Sequence, residues 1–119
     1  MKPRSAKNKG RRFQNYIRDK ILEVFKDHLH KDDVVSTPMG VSGEDIQISP
    51  HARQYFPYSA ECKANKSFAV YKIMEQAERH GKGIPIVFLK GDRKEPLALL
   101  TVEEFFRLLL NNNNNKDNL

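Results

Sequence analysis

The sequence predicts an α/β domain: a central mixed five-stranded sheet flanked by helices, in the order α-β-β-β-α-β-β-α. Three observations carry that expectation. Apolar residues recur at three- and four-residue steps from Phe13 to Leu29, the period of an amphipathic helix. Short strand-like runs separated by Gly and Pro begin near residues 34, 45 and 58. Residues 84–89 are almost continuously apolar, as in a strand covered on both faces. Helical and extended runs alternating in this way call for layers of helix against sheet.

Residues 1–10 are polar and basic, contain Pro3 and Gly10, and are expected to form a flexible arm. A folded domain is expected over 11–110. Its first helix runs from Arg11 to about His30, with Phe13, Tyr16, Ile17, Ile21, Val24, Phe25 and Leu29 as its apolar positions. Val34 and Val35 open a short strand, and residues 37–43 are turn chemistry with two glycines. A strand carrying Asp45 at its start follows. Residues 50–57 read as a hairpin loop and 58–63 as the return strand. Arg53, Tyr55 and Phe56 at the loop tip either touch a substrate or pack locally. The second helix is expected from about Ser67, as N-cap, through Val70, Ile73, Met74 and Ala77 to Gly81. After the strand at 84–89 and the turn Gly91-Asp92-Arg93-Lys94 comes a strand at 97–100. Thr101 then caps a last helix whose first turn holds Glu103 and Glu104. Its apolar side, Phe105, Phe106, Leu108 and Leu109, suits either the core or a second copy of the chain. Residues 111–119 form an Asn-rich tail expected to be disordered.

The 119 residues include 21 Lys and Arg against 15 Asp and Glu, a net charge of +6. Six of the basic residues, Lys2, Arg4, Lys7, Lys9, Arg11 and Arg12, fall in the first twelve positions, which contain no acid. The excess is a basic arm on a neutral body. Such an arm either contacts a polyanion through counterion release or is a solvated tail. One cysteine excludes an internal disulfide and suits a reducing compartment, and no apolar run approaches a membrane span. The expected location is the cytoplasm. No CxxC or HExxH spacing occurs, and His28, His30, His51 and His80 are scattered.

The chemistry is concentrated in two strands. Side chains alternate faces along a strand, so Glu61 and Lys63 share one face while Cys62 points to the other. If the Asp45 strand lies alongside, two carboxylates and an ammonium converge. Two carboxylates held together repel unless a cation joins them, and hard oxygen ligands suit Mg²⁺. A lysine beside them orients a water or neutralises charge developing on a phosphate. The set reads as metal-dependent phosphodiester hydrolysis. The competing reading is a surface ion pair between Glu61 and Lys63, with Asp45 a turn acid.

The element order, with Gly43-Glu44-Asp45 followed by Glu61-Cys62-Lys63, resembles the PD-(D/E)XK nuclease superfamily across roughly residues 9–109. The small size is similar to its Holliday-junction resolvase branch in archaea and phages. The resemblance implies a restriction-endonuclease-like core and a Mg²⁺-dependent endodeoxyribonuclease, with Mn²⁺ able to substitute, in a bacterial, archaeal or phage-infected cell. It implies that Asp45, Glu61 and the Cys62 carbonyl hold the metal. Lys63 positions the attacking water, Gln76 faces the site, and Ser42 lies near the scissile phosphate. DNA would be gripped by Lys7, Lys9, Arg11, Arg12, Arg53 and Lys66, with Lys72 and Arg79 as further contacts. Two-strand cutting would need a homodimer. One position departs from the pattern: where resolvases carry KGxxxE, this chain has Lys9-Gly10-Arg11-Arg12-Phe13-Gln14. Either Gln14 coordinates weakly or through water as a neutral amide, Glu44 substitutes for it, or the site holds one metal less firmly. The alternatives are a sequence-specific restriction or homing-type enzyme, or a DNA-binding protein that keeps the fold without the chemistry. RNA also remains open as substrate.

Overall fold

The structure, a computed structural model, describes residues 3–117. The chain runs α1 (Pro3–Val24), β1 (Val34–Ser36), β2 (Ile46–Ile48), β3 (Tyr58–Ala64), α2 (Val70–His80), β4 (Ile84–Lys90), β5 (Leu97–Leu99) and α3 (Val102–Asp117). The α/β order holds, but the five strands form two sheets rather than one. β1 and β2 are an antiparallel pair, Val34 opposite Ile48. β3 runs parallel to β4, Tyr58 opposite Ile84 and Lys63 opposite Leu89, and β4 is antiparallel to β5. The sheets meet at Asp45, whose amide donates to the Ala60 carbonyl at 3.0 Å. β2 has three residues, and the Asp45 carbonyl is already taken by the Thr37 amide at 2.9 Å, so no ladder runs on along β3.

Alternation along β3 and β4 builds two cores. Tyr58, Ala60 and Cys62, with Ile86 of β4, face α1, which brings Phe13, Ile17 and Ile21 at four-residue steps. Val34 and Ile46 of the smaller sheet complete this layer with no exposure at all. On the other face Val87 and Leu89 meet Ile73, Met74 and Ala77 of α2. β4 is thus covered on both sides, as its unbroken apolar run demands. The β3-α2-β4 crossover ends tightly: a side chain at Gly81 would fall on Ser59, which accepts the Gly83 amide.

Several local expectations change. α1 begins at Pro3, so the arm over 1–10 is helical from that point. Its Lys, Arg and Ala carry little helix penalty, Pro is tolerated at the first helical position, and the packed half beyond Phe13 supplies the nucleus. Lys2 and the side chain of Arg4 lie outside the described residues. The same helix stops at Val24 rather than near His30, and turns carry the chain through His28. Residues 50–57 link the two sheets instead of closing a hairpin, and contain a single tight turn at Ala52–Gln54. Tyr55 stacks on His28 with ring centres 4.7 Å apart, so the loop aromatics pack locally. α2 starts at Val70, and Ser67 does not cap it. Thr101 does cap α3, its hydroxyl accepting the Glu104 amide at 3.2 Å. α3 continues through the Asn tract to Asp117, because asparagine is a poor but permitted helix former; residues 118 and 119 lie outside the described residues.

Candidate active site

The junction of the two sheets holds Asp45. Gly43 before it has φ 112°, a left-handed turn that favours glycine and swings Glu44 and Asp45 toward β3. Four bonds then fix Asp45, one of them from Gln14 to its carbonyl. Its amide reaches Ala60, its carbonyl accepts from Thr37, and its Oδ2 accepts the Cys62 amide at 2.7 Å. Glu61 and Lys63 point to the α2 side of β3. Lys63 Nζ lies 3.5 Å from Glu61 Oε1, while Glu61, only 5 % exposed, has its Oε2 buried without a partner. Burial pushes both carboxyls above their usual range, and the Asp45 charge pushes Glu61 further; Lys63 and His80 oppose this for both. Two carboxylates against one ammonium leave a net negative centre in a poorly hydrated place.

The donor set fits a hard cation. Glu61 Oε2 needs a partner, and Asp45 is held in register by a backbone bond rather than by a competing side chain. Among the described residues no three His, Cys, Asp or Glu side chains converge to hold a metal. A cation here would have Asp45 and Glu61 as its acidic ligands, a set that suits Mg²⁺, which retains several waters. The Cys62 thiol is buried in the α1 layer and shifted strongly upward by burial, so only the backbone of that residue is on offer. Gln76 is half-buried on α2 with its Oε1 buried and unpartnered. His80, four residues further on the same helix face, lies within electrostatic range of both carboxylates and was not singled out from the sequence. The i, i+4 spacing from Gln76 is the signal that could have found it.

The amide nitrogen of Gln14 is used inside the fold. The residue is 5 % exposed, and its Nε2 donates to the carbonyls of Thr37 at 2.8 Å and Asp45 at 2.7 Å. These two bonds tie α1 to the loop carrying Asp45. Glu44, the other candidate for the place of the missing glutamate, keeps its Oε2 buried without a partner. Its Oε1 pairs with Arg53 at 2.9 Å, and Arg53 also donates to the Tyr58 carbonyl at 2.7 Å. Both of these contacts of Arg53 lie inside the fold. Lys7, Arg11, Arg12, Ser42 and Lys66 are exposed, and Lys9 pairs with Asp92 on the turn between β4 and β5. Among the described residues no helix is long and apolar enough to cross a membrane. Comparison with protein families, with curated proteins and with solved structures finds no match for this chain.

The carboxylate pair makes stability depend on pH with a definite sign. Folded pKa values above the unfolded ones mean the folded state holds its protons more tightly, so the cation-free protein loses stability as pH rises through those values. Asp45→Asn keeps an oxygen for the Cys62 amide but removes the charge. Thermal melts in EDTA should give the variant the higher Tm at pH 7, with the two curves converging toward pH 4. A variant that melts below wild type at pH 7 would show that the pair is not repulsive.

Proposed function

We propose that the chain is a Mg²⁺-dependent endodeoxyribonuclease of the PD-(D/E)XK type that recognises DNA structure, as a junction resolvase does. The observation that carries the reading is the convergence of Asp45, Glu61 and Lys63 at one sheet junction with a buried carboxylate oxygen left without a partner. Asp45 and Glu61 would hold the cation. When bound, Mg²⁺ would polarise a phosphoryl oxygen and lower the pKa of a bound water. Lys63, one-third exposed beside Glu61, orients the attacking water and offsets negative charge growing on the phosphate as the P–O bond to the leaving group opens. Gln76 presents its amide oxygen to the same side of β3 and suits a water or the lysine.

Shape recognition is favoured over base readout by the loop at 50–57. Its arginine and tyrosine are used inside the fold and His51 bonds the His28 carbonyl, which leaves Gln54 as a single exposed side chain there to enter a major groove. A homodimer is favoured by α3, where Val102, Phe105, Phe106, Leu109 and Leu110 are all about half exposed or more, and Leu97 of β5 is 62 % exposed. The α3 positions are spaced along one helix face, and an exposed apolar face of that kind suits contact with a second copy.

Labelled four-way junction, linear duplex and single-stranded DNA should be incubated with Mg²⁺ and with EDTA. Symmetric paired nicks at the junction, absent in EDTA, are expected. Single unpaired nicks would remove the dimer, cutting of linear duplex at fixed sites would move the assignment to the restriction type, and binding without cleavage by any divalent cation would end the enzymatic reading.

A further inference from the structure

A cavity of about 910 Å³ lies away from the carboxylates. It opens between α1 and the β4–β5 turn and is lined by Lys9, Arg12, Phe13 and Tyr16 on one side and by Lys90 to Arg93 with Pro96 on the other. The helix positions are spaced i, i+3, i+4 and i+7, so one face of α1 forms a wall. Ala64, the residue after Lys63, lies on the lining, as do Lys90 and Gly91. The groove therefore sits at the carboxyl ends of the two parallel strands, where α/β sheets habitually hold ligands.

We infer that this groove binds an unpaired stretch of single-stranded DNA, with a base stacked on Tyr16 and the phosphates held by Arg12, Lys90 and Arg93. This deepens the nuclease reading and rests on it for the choice of DNA. Three observations support it. Tyr16 is 47 % exposed, while Phe13 beneath is buried and lies nearly parallel to it at 15°, so one ring braces the other. Four cations line the groove against one carboxylate, Asp92, which Lys9 already pairs. Arg93 has φ 58°, the only positive φ outside glycine among the described residues. That conformation, in a turn closed by the Lys94 amide to the Gly91 carbonyl at 3.2 Å, favours glycine or asparagine. Arginine there strains the turn and sets a guanidinium on the groove rim.

A base within a duplex has both faces covered by neighbours, whereas an unpaired base offers a π face to an aromatic ring. The combination of ring and cations thus selects single strands over duplex. An acidic peptide would satisfy the cations and leave Tyr16 without a role.

The test is fluorescence anisotropy of labelled oligothymidine in EDTA, so that binding is read without cleavage. Tyr16→Ala is expected to weaken binding about 5- to 100-fold, and Tyr16→Phe to leave it close to wild type. Arg93→Gly relieves the turn and should keep or raise Tm, yet weaken binding and lower the salt slope by about one. Equal binding by wild type and Tyr16→Ala would overturn the assignment, as would displacement of oligothymidine by polyglutamate that is indifferent to Tyr16. If the variants bind like wild type while Lys63-dependent cleavage continues, the groove fails and the nuclease stands. If Tyr16-dependent binding is found but no DNA is cut with Mg²⁺, the groove stands alone.

Discussion

Lys63→Ala is expected to lower Mg²⁺-dependent DNA cleavage by roughly 10²–10³-fold, the loss seen when one preorganised donor to a developing charge is removed. The fold should survive. Lys63 is one-third exposed, and an ion pair so accessible to water contributes at most about 1 kcal/mol. DNA binding should also persist, because the side chain faces the carboxylates rather than the basic groove. Lys63→Arg separates two roles for the lysine. A guanidinium keeps the positive charge but cannot give up a proton near neutral pH, and its planar fork does not reproduce a point donor. If Lys63 acts as a charge alone, the arginine variant recovers much of the rate; if it exchanges a proton with the water, arginine is as inactive as alanine. Single-turnover rates across pH 6–9 give the answer. Wild-type rates in the alanine variant would mean that the carboxylate pair works without it, and the assignment of Lys63 would be lost.

The parts of this site legible in the sequence are those governed by local geometry. Alternation along residues 58–64 places Glu61 and Lys63 on the α2 face and Cys62 in the α1 core, as the period of a strand requires. The Thr101 cap, the end of α2 before Gly81 and the doubly covered β4 follow from equally local rules. What stayed hidden depends on partners distant in the chain. Nothing near Arg53 announces that it will be consumed by Glu44 and the Tyr58 carbonyl. The split into two sheets turns on a competition for the Asp45 carbonyl by Thr37 and Gln14. The groove is lined by Lys9 and Asp92, which meet from 83 positions apart. The helical start at Pro3 was missed for another reason: a basic, polar composition suggests an arm, but the same residues are adequate helix formers once a packed helix follows.

Gln14→Glu would restore the acid of the resolvase pattern and thereby distinguishes a ligand from a positioning residue. The amide nitrogen of Gln14 is 2.8 Å and 2.7 Å from two backbone carbonyls. A carboxylate there would set oxygen against oxygen, in a place 5 % exposed, with both acceptors deprived of their donor. A buried charge without compensation costs about 3–5 kcal/mol, so the variant should be severely destabilised at pH 7. The deficit relative to wild type should shrink with acid. The new carboxyl would protonate more readily folded than unfolded, so its penalty is complete only above the folded pKa and disappears below the unfolded value near 4.3. A protonated acid can still serve one of the two carbonyls. Gln14→Leu, which removes the donor without adding charge, should lose about 1–3 kcal/mol and show no such pH dependence. Were Gln14 instead a metal ligand, the glutamate would tighten Mg²⁺ binding and leave Tm intact. Urea denaturation at pH 4.5 and 7, with and without Mg²⁺, therefore decides between the two roles. Because the same amide holds the Asp45 carbonyl, a Gln14→Leu protein that stays folded should also cut more slowly at saturating Mg²⁺, with the loss traceable to a carboxylate no longer fixed beside Glu61.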